Sequence, residues 1–137
     1  MKSRSESLIR LKKFQVDEKR RQVAQIEAMV ADFERMASEL DQQIEIEQQK
    51  TGISDVAHFA YSTFAKAALA RRDNLLASAN DMRETLESAQ DALAEAVEEL
   101  KKVELLDQRE HGREAAADAK SEQEGYDEIA RLRHMRS

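Results

Sequence analysis

Twenty-eight Asp and Glu and three His side chains give this chain many groups able to move protons or hold a metal ion. Acid–base or metal chemistry needs such groups to converge in one concave place. Their spacing predicts no convergence: His58 and His111 stand about fifty residues apart, and acidic pairs such as Glu98-Glu99 recur at intervals that read as solvated helix faces. The chain carries no Gly-rich phosphate loop, no Ser-His-Asp set in a plausible pocket and no ligand cluster of metal type. The absence of cysteine removes disulfides, thiolate metal sites and Cys nucleophiles. Neither an enzyme nor a bound cofactor is expected. The residues that retain directed chemistry are those of recognition. Phe59, Tyr61 and Phe64 lie within six residues and are three of the six aromatics, and a basic opening, Leu8-Ile9-Arg10-Leu11-Lys12-Lys13-Phe14, stands near the N-terminus.

Two long runs of apolar residues at 3-4 spacing position them. The first is Ile9, Lys12, Val16, Lys19, Val23, Ile26, Val30, Phe33, Ala37, Leu40, Ile44 and Glu47, with nine of twelve positions apolar. The second, Leu75, Ala79, Met82, Leu86, Ala89, Leu93, Ala96, Leu100 and Val103, is apolar throughout. A seam sustained at a 3.5-residue repeat marks helices that wind around a partner. A composition 36% charged, with no Pro and three Gly and a mean hydropathy of -0.74, describes solvated helices with a thin apolar stripe. The expected fold is all-α: an elongated antiparallel two-helix coiled-coil hairpin with a C-terminal helical overhang, forming one domain over residues 1–137.

Ser3 and Glu6 at capping-box spacing start the first helix near residue 4, which runs to about 50. Gly52 caps it, the turn occupies 51–54, and Ser54 or Asp55 opens a second helix over about 55–135. Residue x then faces roughly residue 105 minus x, placing Ile9 near Ala96 and leaving the second helix unpaired beyond about 104. In agreement, the seam positions after Val103 are almost all polar. The overhang contains Gly112 and Gly125 and regains an apolar stripe at Tyr126, Ile129, Leu132 and Met135 among Arg131, Arg133 and Arg136, a pattern that fits a docking helix.

The net charge of -6 conceals segregation. Residues 1–22 carry eight bases against three acids and residues 81–110 ten acids against four bases, an asymmetry that cross-seam attraction explains in part. No aromatics interleave with Lys19-Arg20-Arg21, so nucleic acid is not an expected partner. No segment approaches the length of a membrane span and no signal-peptide pattern is present, which points to a cytoplasmic protein. Carried back to the loop, the second seam takes in Tyr61, Ala65 and Ala68, leaving Phe59 nearly opposite and Phe64 on a flank. Apolar groups off the seam call for local packing or a partner. Leu8, Leu11, Leu69, Leu76 and Val97 could instead form a second seam, so a self-assembling structural coiled coil or four-helix bundle is the competing reading. A prefoldin-like rod lacks its strand-forming segments here.

The order of these features over the whole length resembles the flagellar export protein FliJ family and the related stalk proteins of type III secretion. The match rests on the chain length, the basic opening from Leu8 to Phe14, a first helix of about 45 residues, a short turn, and Tyr61-x-x-Phe64 early in a longer second helix. The resemblance implies a hairpin similar to the shaft of the rotary ATP synthase. Its terminal end would insert into the hexameric flagellar export ATPase and its loop end would contact the membrane export gate protein. It further implies promotion of ATPase ring assembly, coupling to the gate, exchange of export chaperones, and a place at the cytoplasmic face of the membrane export apparatus; weak self-association is a further expectation. Phe64 matches the aromatic of the family's gate-contacting face, with Tyr61 one turn before it. The next positions on that face are Ala68 and Arg71, where family members have a larger apolar side chain and then a small one. Ile9, Arg10 and Lys13, overlain by residues 92–103, fall in the ring-inserting region.

Overall fold

A computed structural model of the protein describes residues 4–136 and contains two helices, α1 (Arg4–Thr51) and α2 (Thr63–Arg136). Ser3, the expected first cap, lies outside the described residues. The helices pack against each other as an antiparallel pair in two compact units, residues 17–95 and residues 4–16 with 96–136. The predicted seam is the buried stripe. Val16, Val23, Val30, Ala37 and Ile44, seven residues apart on α1, are all buried, and every expected seam position of both helices is at least partly covered. On α2 the most enclosed side chains are mostly small: Ala65, Ala68, Ala79 and Ala96. Small residues on one helix let the larger side chains of the other settle toward its backbone. A seam between two helices covers each side chain from one direction only. Accordingly, no large side chain among the described residues is fully enclosed.

The start of α2 and the pairing register both differ from the sequence-based expectation. Instead of a four-residue turn, eleven residues separate the helices, and α2 begins at Thr63 rather than near 55. Gly52 does end α1: it sits at φ 73° and its N–H donates to the Gln48 carbonyl at 2.9 Å, the left-handed cap that glycine adopts at least cost. Asp55, however, does not open a helix. Its carboxylate accepts the Ala57 N–H at 3.0 Å and its carbonyl accepts that of His58, which closes a turn and competes with helical bonding. Ser62 is the working N-cap, its hydroxyl accepting the Ala65 N–H at 3.2 Å. That hydroxyl also donates to Glu47 of α1 at 3.0 Å, so a tertiary bond favours Ser62 over Asp55 as the start of α2.

The longer loop moves the pairing by one heptad. Lys12 reaches Glu99, Arg72 reaches Asp41, Arg83 bonds Glu34 and Glu47 meets Ser62, so residue x faces about 112 minus x. A seven-residue slip keeps every apolar seam position on the seam, so the pattern cannot distinguish the two registers. The polar seam residues can. In the expected register Lys12 would face Leu93 and Arg72 would face Phe33, whereas here both find carboxylates. Hydrogen bonds to Asp41 and then Asp73 raise the Arg72 pKa above its ordinary value.

Pairing correspondingly runs past 104 to Glu110, whose carboxylate accepts the Ser5 hydroxyl at 3.1 Å. Asp107 holds the last seam position, with one carboxylate oxygen buried and without a hydrogen-bond partner. Its nearest counter-group is His111, 3.4 Å away. Every described residue from 111 onward is exposed. The overhang expected from the sequence is therefore present, displaced by the same heptad.

Two stability outcomes follow from these contacts. Ser62→Ala lowers the free energy of unfolding by about 1–2 kcal/mol, through the lost cap and its bond to Glu47, whereas Ser54→Ala leaves it unchanged; chemical denaturation followed by circular dichroism reads both. Deleting residues 126–137 leaves the unfolding midpoint of the paired region unchanged, because Tyr126, Ile129, Leu132 and Met135 bury nothing in the hairpin.

Candidate functional site

The loop from residue 52 to 62 is short of apolar packing but rich in local bonds. Thr51 Oγ1 accepts the Ile53 N–H at 3.2 Å. One turn closes from Asp55 to His58 and a second from His58 to Tyr61, each through an N–H to carbonyl bond of 3.0 Å. His58 Nδ1 accepts the Ala60 N–H at 3.0 Å, and its ring stacks on Phe59 with centroids 4.7 Å apart. The loop returns to the seam at Tyr61, which is 9% exposed and whose hydroxyl accepts a hydrogen bond from Gln48 Nε2 at 2.8 Å.

These contacts separate the three aromatics. Tyr61 is a seam residue, as its periodicity predicts, and its buried ring positions the loop rather than offering a docking face. Phe59 and Phe64 are the exposed pair, at 96% and 55%. Ala68 of the implied gate-contacting face is buried. Arg71 is exposed and lines a shallow groove with Leu75 of α2 and Met36, Leu40 and Gln43 of α1. Gln48, Glu47 and Ser62, which fix the ends of the loop, were not identified as site residues from sequence; Ser62-Thr63 before an alanine-rich run was the available signal for a helix start.

In the unit formed by residues 4–16 and 96–136, Ile9 is half-buried on the seam while Arg10 and Lys13 are exposed. The corrected register places Ile9 opposite about residue 103 rather than Ala96, so the segment overlying the basic opening is 99–110 instead of 92–103. Leu8, Leu11 and Phe14, three residues apart along α1, are all exposed, as are Leu105 and Leu106 on α2. Leu8, Val103 and Leu106 line an open groove edged by Arg4, Ser5 and Glu110. Leu105 and Leu106 escaped the sequence reading because they lie off the seam, between its positions Val103 and Asp107. In this segment Lys12 pairs with Glu99 across the helices. Arg20 and Arg21 pair instead within α1, with Asp17 and Glu18.

No group of three or more His, Asp or Glu side chains among the described residues could hold a metal ion, and no helix is long and apolar enough to cross a membrane. What the described residues present is an all-α hairpin with a thin seam, open grooves and exposed apolar side chains, the architecture of a coiled-coil protein. The chain belongs to the flagellar FliJ family: a family model described as Flagellar FliJ protein matches residues 1–137, the whole chain. Members of that family are components of the flagellar export apparatus, a type III secretion system for protein transport. No curated protein and no solved structure matches it.

The burial contrast between the aromatics gives a direct test. Phe64→Ala changes the free energy of unfolding by less than about 0.5 kcal/mol, while Tyr61→Ala costs about 3 kcal/mol and Tyr61→Phe about 1 kcal/mol, all read by denaturant titration.

Proposed function

We propose that this protein is the non-enzymatic stalk of the flagellar type III export apparatus, acting at the cytoplasmic face of the membrane. Its terminal unit inserts into the hexameric export ATPase and promotes ring assembly. The surface around Phe64 contacts the export gate, and the hairpin thereby couples ring and gate. Uptake of empty export chaperones for another round belongs to the same role. The observation that carries this reading is the family match over the whole chain. It is supported by exposed recognition groups in each packing unit: Phe64 beside the loop, and Arg10 and Lys13 with Leu8, Leu11 and Phe14 in the basic opening. A helical pair that holds its register through polar seam bonds transmits position without a pocket or a cofactor.

A second reading, self-assembly into a structural bundle, draws on Leu8, Leu11 and Leu76, which are exposed on the seam's flanks. One experiment separates the two. The stalk stimulates the ATPase activity of the organism's own flagellar export ATPase several-fold while remaining monomeric or weakly dimeric by light scattering. A tight oligomer without effect on the ATPase establishes the bundle instead.

A further inference from the structure

Phe59 is the most exposed large apolar side chain among the described residues, at 96%, yet its loop is heavily constrained. The Asp55–His58 and His58–Tyr61 turns follow one another directly. Side-chain acceptors reinforce both, with the Asp55 carboxylate taking the Ala57 N–H and His58 Nδ1 taking that of Ala60. The second turn is anchored through Tyr61 to Gln48, and the stacked His58 ring restrains Phe59 from one face. Within the hairpin this ordering buries none of the Phe59 ring. Its consequence is a backbone that presents the ring from a fixed position before any partner arrives, so that less freedom is lost on docking.

We propose that the 52–62 loop is a preorganised display of Phe59, which inserts as a single aromatic anchor into an apolar pocket on a folded protein partner, with His58 as its positioning residue. The chemistry of the loop selects that occupant. From Gly52 to Ser62 its one formally charged side chain is Asp55, an acid, so the cations that draw a peptide to anionic lipid or nucleic acid are missing. One Phe buries about 150–250 Å², far less than the roughly 800 Å² per partner of a stable interface. Phe59 therefore acts as the anchor of a larger contact, and a convex lone ring requires the partner to supply the cavity. Extending the contact along α2 brings in Phe64, so the inference rests on the proposed gate contact and assigns to the loop a part that Phe64 does not play.

The test measures binding of the full-length protein to the purified cytoplasmic domain of the organism's export gate protein by titration calorimetry, with circular dichroism melts alongside. Phe59→Ala weakens binding at least tenfold with an unchanged melt, and Phe59→Leu retains part of the affinity because the pocket accepts an apolar group. His58→Ala weakens binding several-fold. His58→Asn recovers part of that loss, because its amide oxygen accepts the same i+2 N–H as Nδ1 does. Wild-type affinity in Phe59→Ala, with Phe64→Ala weakened, overturns the anchor while leaving the gate contact intact. No binding by the wild-type protein overturns the gate contact and the anchor with it. Equal losses in His58→Ala and His58→Asn, with Phe59→Ala weakened, overturn the positioning role of the His58 acceptor. Concentration-dependent self-association abolished by Phe59→Ala, without gate binding, overturns the proposal in favour of a second copy of the chain.

Discussion

Two helices in contact bury only the stripe that each turns toward the other, and the placement of every other group depends on how that stripe is aligned. Val16, Val23, Val30, Ala37 and Ile44 recur every seven residues, so apolar burial favours a set of registers one heptad apart with little to choose between them. Polar groups on or beside the seam lift that degeneracy. Lys12 with Glu99, Arg72 with Asp41 and Glu47 with Ser62 are satisfied in one alignment, and a slip of seven would set cations against Leu93 and Phe33. Exposed ion pairs stabilise weakly, but removing a partner from a half-buried charge is costly. The greater effect of these pairs is on specificity.

Register in turn fixes which surfaces remain open. Because α2 begins at Thr63, Tyr61 falls at the first turn of the seam, bonded to Gln48, and Phe59 is left on a loop that projects it into solvent. The same displacement covers α2 as far as Glu110, leaves residues 111–136 uncovered and assembles Leu8, Val103 and Leu106 around one groove. The chain's family serves the flagellar export apparatus. Bonds along the seam hold the alignment, and the side chains that the seam cannot use stay exposed.

Much was legible in the sequence because it rests on local chemistry or on periodicity. The two helices, their seam, the Gly52 cap and the exposed overhang with its stripe from Tyr126 to Met135 all follow from the 3.5-residue repeat, a left-handed cap and the loss of apolar seam positions after Val103. The sequence also placed Tyr61 on the seam and Phe64 on its flank, at 100° per residue, although it grouped both with Phe59 as recognition residues, and burial separates them. What it left open was the alignment. Asp55 and Ser62 are both good N-caps, and choosing the first shortens the loop by about one heptad without disturbing a single apolar position. Only the tertiary structure decided between them. The Ser62 hydroxyl that caps α2 also reaches Glu47, thirteen residues from Tyr61 a second bond joins Gln48 across the same turn, and neither contact exists until both helices are in place.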